Sequence, residues 1–214
     1  FQAWYCVRIF GDGDFVSIPK GLLNKEYLTQ RSALIRRPTA LGEDDVVAGD
    51  PPWDKAELRI DGISPEVPST SHITIVDSDG NVAAMTTSIE GAFGSRLFVS
   101  GFLLNNQLTD FSFEPEEDGK AVANRVEPGK RPRSSMSPTI VLRDGKPVYA
   151  VGSPGGSNII PYVAKTLIAL IDWKMDMQAA VSLPHLANRF GTYDLEAGTK
   201  AAEMADDLEA LGYT

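Results

Sequence analysis

The sequence predicts an α+β fold in which antiparallel hairpins come first and helices cover them afterwards. Three observations carry this reading. Two segments of strand-like residues fold back across Asp-Gly turns: His72 to Ser88 about Asp79-Gly80, and Thr139 to Val151 about Asp144-Gly145. A long apolar stretch with helical spacing begins only after the second hairpin, at Asn158. Nowhere do strands alternate with helices in the manner of a parallel sheet, so a layered antiparallel arrangement is expected.

The elements follow in order. Residues 20–37 have helical spacing, with Leu23, Tyr27, Leu28, Arg31 and Leu34 on one stripe and Asn24 placed to cap the start. Residues 38–69 are rich in Pro, Asp and Gly and show no period, which reads as an extended connection. His72 to Asp77 and Val82 to Ser88 form the first hairpin, Thr139 to Leu142 and Pro147 to Val151 the second. Helices are expected over 158–173, from a cap at Asp176 through Leu183, and over 200–211. No repeat or low-complexity tract interrupts them.

Composition narrows the functional classes. The chain has 214 residues, 43% hydrophobic and 23% charged, enough for a real core in an ordinary globular protein. Its net charge of −9 opposes general binding to nucleic acid or to an anionic membrane surface. A local basic cluster, Arg125, Lys130, Arg131 and Arg133, suits either a small anionic ligand or a solvated loop. The single Cys6 excludes an internal disulfide framework, and two histidines, His72 and His185, exclude a His-rich metal site. Neither a metal nor a cofactor is expected. No run reaches the roughly 18 apolar residues of a membrane span. The chain opens at Phe1 without an initiator Met and stops at Thr214 with a helix barely ended, so we expect an internal piece of a longer polypeptide.

Two places carry chemistry. Thr70 stands where a polar connection turns into a buried strand, within Pro68-Ser-Thr-Ser-His72. Cleavage before it would expose an α-amine beside its hydroxyl, joining nucleophile and general base in one residue, with an amine pKa of about 7.7 to 8. The same residues serve equally as a strand entry that satisfies its own backbone. Gly152-Ser-Pro-Gly-Gly-Ser157 lies between a strand and a helix start, where paired glycines free N–H groups to converge on an oxyanion. A tight turn would use the same sequence.

Five ordered motifs then match one family. Thr70–Asn81 (TSHITIVDSDGN) resembles the start of the small subunit of gamma-glutamyltransferases, also called gamma-glutamyl transpeptidases. Met85–Ser95 (MTTSIEGAFGS), Gly101–Phe111 (GFLLNNQLTDF), Pro128–Thr139 (PGKRPRSSMSPT) and Gly152–Gly156 (GSPGG) are similar to the family in order and spacing. Gly11–Leu23 resembles the end of the large subunit.

The resemblance implies an N-terminal nucleophile hydrolase αββα sandwich, of which this chain is a fragment. Residues 1–69 would be the end of the large-subunit region, and 70–214 the catalytic small-subunit region, shortened at its C-terminus. It implies gamma-glutamyl transfer or hydrolysis with glutathione-like donors, through a gamma-glutamyl enzyme on Thr70 after self-cleavage. Ser88 would activate Thr70, while Gly155 and Gly156 would supply the oxyanion hole. Glu90, Gln107 and Asp110 would bind the α-ammonium of the donor, and Ser134 and Ser135 its α-carboxylate. Many members carry Asn where this chain has Glu90. The stretch from Phe111 to Lys130 is short and acidic, so the lid found in some members is expected to be reduced. The expected partners are a small gamma-glutamyl substrate and the remainder of the large subunit, whose Arg would pair with the α-carboxylate; the fragment alone is therefore expected to be inactive. Glutaryl or cephalosporin acylases share the architecture, and an unprocessed, silent relative acting as a binding subunit is a further alternative. Most members are periplasmic or extracellular, while the sequence itself leaves the compartment open.

Overall fold

The computed structural model describes residues 11–34, 40, 49, 51–52, 70–189 and 192–213. They divide into two compact units, neither continuous in sequence. One takes the described residues up to Pro52 with Phe111–Arg133 and Pro184–Tyr213, the other Thr70–Asp110 and Ser134–Leu183.

In the first unit, α1 (Lys25–Ser32) follows a 3-10 turn at Lys20–Leu23. Asn24 caps it as expected, its Oδ1 accepting from the Tyr27 N–H at 3.0 Å. The predicted stripe over 20–37 does not hold. Tyr27 is buried, but Leu23 is 85% exposed and Leu28 45%. The helix spans only eight residues and ends in hydroxyl side chains that bond back to its own carbonyls, Thr29 to Lys25 and Ser32 to Thr29. Residues 35–37 of that prediction, and most of the 38–69 connection, lie outside the described residues.

The second unit begins with β1 (Thr70–Val76) and β2 (Val82–Ser88), antiparallel and in unbroken register from Thr70↔Ser88 to Val76↔Val82. Asp77 sets that register from the turn: Oδ1 accepts from the N–H groups of Asp79 and Asn81, and Oδ2 from the Asn81 amide at 2.8 Å. The Asn81 side chain, then its backbone, holds the Asp77 carboxyl below its usual range. A slip of one residue would turn every side chain of the hairpin to the opposite face. The turn therefore decides that Thr70 stands opposite Ser88, at the far end of the ladder.

Short pairings not read from the sequence follow, β3 (Phe98–Val99) with β4 (Phe102–Leu103) in the second unit and β5 (Glu116–Glu117) with β6 (Lys120–Ala121) in the first. The second predicted hairpin is β7 (Thr139–Arg143) and β8 (Lys146–Val151), turned by Asp144 at φ 51° and Gly145 at φ 75°. β2 packs beside β7 and β8, and α2 (Ile159–Ile171) packs on β8 and on α3 (Met177–Val181). Val151, Ile159, Val163, Ala169, Leu170 and Ala180 close the core between them. The Asp176 cap is present, with Oδ1 accepting from Ala179 N–H at 3.0 Å, but α3 ends two residues before the predicted Leu183. Back in the first unit, β9 (Leu186–Arg189) pairs with β10 (Thr192–Leu195), and α4 (Ala205–Ala210) follows a 3-10 turn at Ala202–Met204.

Candidate active site

The second unit holds every predicted site residue. Thr70, the first residue of β1, is half-buried, and its Oγ1 lies 3.4 Å from Ser88 Oγ across the ladder. Ser88 Oγ also accepts from the Glu90 N–H at 2.9 Å. In this pair the Thr70 hydroxyl donates to the Ser88 oxygen, which therefore accepts from both Thr70 and the Glu90 N–H. Glu90, Ser88 and Thr70 thus form one chain of hydrogen-bonding groups that ends on the candidate nucleophile.

Glu90 itself is unusual on two counts. Its backbone sits at φ 71°, which costs a non-glycine residue about 1 to 3 kcal/mol. Its side chain is carried into a setting where the residue is only 8% exposed, and no cationic side chain among the described residues pairs with it. A buried carboxylate calls for a positive partner. Asp110, 9% exposed at the end of a 3-10 turn over Gln107–Asp110, accepts a hydrogen bond from the Gln107 amide through Oδ2. Two buried acids and an amide oxygen make a set of acceptors suited to an ammonium group.

The glycine loop has the conformation that two glycines permit. Gly155 is at φ 132° and Gly156 at φ 53°, opening a 3-10 turn that leads into α2. Asn158 N–H donates to the Gly155 carbonyl at 2.9 Å. Among the described residues no backbone carbonyl is seen to accept from the Gly155 or Gly156 N–H, as an oxyanion nest would need. Sequence reasoning missed what holds this loop. The His72 ring lies against Gly152 while its two nitrogens bond to Thr86 Oγ1 at 2.9 Å and Thr74 Oγ1 at 3.1 Å. Its position two residues after Thr70 was the available signal.

Ser134 and Ser135 precede β7, and their bonds are local. Ser134 Oγ accepts from Met136 N–H at 3.2 Å, and the Ser135 carbonyl accepts from Ser137 Oγ at 2.9 Å. A Ser134 oxygen that accepts from Met136 leaves its own hydroxyl proton available for a carboxylate.

The cations of the basic cluster have acidic partners within the protein. Arg131 donates to both carboxylate oxygens of buried Asp12, at 2.9 and 2.7 Å, and to Asp14 at 2.9 Å. Lys130 is buried and donates to Glu127 and to the Ala123 carbonyl, both at 2.8 Å, with Arg125 3.2 Å from the same Glu127 oxygen. These bonds hold Asp12 far below the ordinary carboxylate range and bring Glu127 to about 2, with Lys130 the larger cause and Arg125 the next. Asp12, Asp14 and Glu127 thus engage Arg125, Lys130 and Arg131 within the protein. Among the described residues no group of three His, Cys, Asp or Glu could hold a metal ion, and no helix is long and apolar enough to cross a membrane.

Comparison with known proteins places this geometry in a family. The gamma-glutamyltranspeptidase family matches residues 3–214. A glutathione hydrolase proenzyme of Bacillus subtilis (strain 168) is 39% identical over 213 residues, covering 95% of this chain and 35% of that protein. An acylase ACY 1 proenzyme of a Pseudomonas species (strain SE83) is 32% identical over 206 residues, covering 94% of this chain and 33% of its own length. Among solved structures, a gamma-glutamyltranspeptidase of Helicobacter pylori superposes with a TM-score of 0.59 at 38% identity, covering 67% of this chain and 82% of that one. The chain therefore belongs to the gamma-glutamyltranspeptidase family. Its α+β fold is part of the N-terminal nucleophile hydrolase fold of that family. It spans about a third of the length of the curated relatives it matches.

Proposed function

We propose that the intact protein hydrolyses or transfers gamma-glutamyl groups from glutathione-like donors, using Thr70 as nucleophile after self-cleavage before it. The observation that carries this reading is the Thr70–Ser88–Glu90 chain, in which the strand's first hydroxyl lies 3.4 Å from a serine already accepting a backbone N–H. With its α-amine free, Thr70 would give its proton to that amine as Oγ1 attacks the γ-carbonyl carbon. The carbonyl oxygen would become an oxyanion facing the Gly155 and Gly156 N–H groups, and the departing amine would take back the proton. The γ-glutamyl ester would then pass to water or to an acceptor amine. Glu90, Gln107 and Asp110 would receive the donor's α-ammonium, with Ser134 and Ser135 donating to its α-carboxylate beside the Arg of the large subunit. In this reading residues 1–69 end the large-subunit region, and the remainder of that subunit is the partner completing the site. The 69–70 bond itself lies outside the described residues.

The test compares a gamma-glutamyl anilide with the matching glutaryl anilide on the intact protein. An ammonium bonded between carboxylates contributes about 1.5 to 3 kcal/mol, so the gamma-glutamyl compound should be preferred at least about tenfold in kcat/KM. Equal rates, or a glutaryl preference, would assign the protein to acylase chemistry instead. A protein that stays uncleaved and turns over neither anilide would be the silent relative.

A further inference from the structure

Glu90 and Asp110 lie on different turns, and one residue joins those turns. The Asn106 N–H donates to the Ile89 carbonyl at 3.1 Å, and the Asn106 Oδ1 accepts from the Gly91 N–H at 2.8 Å. A single asparagine therefore grips both neighbours of Glu90, before and after the residue held at φ 71°. Its remaining groups reach the other turn. Nδ2 donates to Thr109 Oγ1 at 3.2 Å, while the Asn106 carbonyl accepts from Thr109 N–H at 3.0 Å and from Thr109 Oγ1 at 2.9 Å. Gln107 follows directly, and Asp110 closes that turn.

We propose that Asn106 is a positioning residue that fixes the spacing between the Glu90 and Asp110 carboxylates, and through it the selectivity for donors bearing an α-ammonium. The inference deepens the gamma-glutamyl reading and rests on it. Strain at Glu90 persists only where the surroundings over-determine it, and the two bonds between Asn106 and the flanking Ile89 and Gly91 supply that constraint. The reach is also close: a β-carbon on Gly91 would stand 3.3 Å from Asn106 Oδ1, so the turn cannot draw nearer with a larger residue there. Two carboxylates receive one ammonium well only at one separation, because charge-assisted hydrogen bonds are short and directional. Loosening the joint acts first on ammonium recognition, since among the described residues the hydrogen bonds of Asn106 run to Ile89, Gly91 and Thr109 and to neither Thr70 nor the glycine loop.

The experiment measures kcat and KM of the intact, self-cleaved protein on the gamma-glutamyl and glutaryl anilides. Asn106→Ala should raise KM for the gamma-glutamyl compound and narrow the preference about tenfold, with the glutaryl rate changing less than about threefold. Asn106→Asp keeps an oxygen for the Gly91 N–H and should hold the preference above that of Asn106→Ala. Thr109→Val, which removes the acceptor of the Asn106 amide and the hydroxyl donor to the Asn106 carbonyl, decides the matter if Asn106→Ala fails to fold, and should narrow the preference about threefold. An unchanged preference, or parallel losses on both compounds, overturns the inference. A wild-type protein without a gamma-glutamyl preference overturns the underlying reading as well, and is distinguished by appearing before any variant is made.

Discussion

The imidazole of His72 lies against the backbone of Gly152, so closely that a β-carbon on the glycine would stand 2.1 Å from the ring. This contact ties β1, two residues after Thr70, to the start of the loop that carries Gly155 and Gly156. Glycine is required at 152 for lack of room rather than for its conformational freedom.

A methyl group at Gly152 forces a shift in the ring or the strand. Gly152→Ala should destabilise the protein by about 3 kcal/mol, the upper end of overpacking costs. His72→Ala loses the bonds to Thr86 and Thr74 but opens the space. The double variant should therefore be more stable than the sum of the two losses, by 1 kcal/mol or more on the scale of coupled contacts, roughly. Urea denaturation of the four proteins checks this, and additive losses would count against the contact.

Thr70→Ala should leave the intact protein as one chain, because no hydroxyl remains to attack the Ser69 carbonyl. Thr70→Ser should cleave, but more slowly, since it loses the methyl that restricts χ1. Mass spectrometry of each purified protein distinguishes the outcomes, and efficient cutting of the alanine variant would remove Thr70 from the mechanism.

Gly156 at φ 53° presents its N–H at the opening turn before α2. Gly156→Val disfavours this backbone and obstructs the nest. If the N–H stabilises the oxyanion, kcat should fall a hundredfold or more, on the order of 3 kcal/mol in the barrier. Substrate binding should survive in part, as judged by competition with an unreactive gamma-glutamyl analogue. A kcat within threefold of wild type, roughly, would relocate the oxyanion hole.

Acid should expose the ion network of the first unit. The Glu127 carboxyl is lowered from 4.5 to about 2 by Lys130 and then Arg125, so its folded form resists protonation more than its unfolded form. The stability it contributes is present above about pH 4.5 and disappears as pH falls through about 2. Glu127→Gln should melt below wild type at pH 7, and the gap should close as pH falls to about 2. A gap independent of pH would mean that the charge contributes nothing.

The hairpins were legible because each part agreed: alternation in the strands, Asp-Gly in the turns, and Asp77 bonds that lock the register. A composition shift singled out Thr70 as the start of a strand, which it is, while its expected role as nucleophile came from the family resemblance. The ion pairs of the basic cluster were not legible because Asp12 and Asp14, which bond Arg131, lie 119 and 117 residues away in the sequence. Asn106 was passed over for a similar reason, as its partner Gly91 is 15 residues distant and an asparagine beside a turn looks locally satisfied. Leu23 and Leu28 kept helical spacing without a surface to cover, which periodicity cannot reveal.

The backbone at Glu90 has a consequence for anyone selecting variants of this protein. At φ 71° glycine is comfortable and glutamate is not. If Glu90 receives the donor's ammonium as proposed, resistance to heat and recognition of that group pull this one codon in opposite directions. A library sorted only for survival on warming would accumulate Glu90→Gly and discard the carboxylate, while one sorted for turnover would keep the strain.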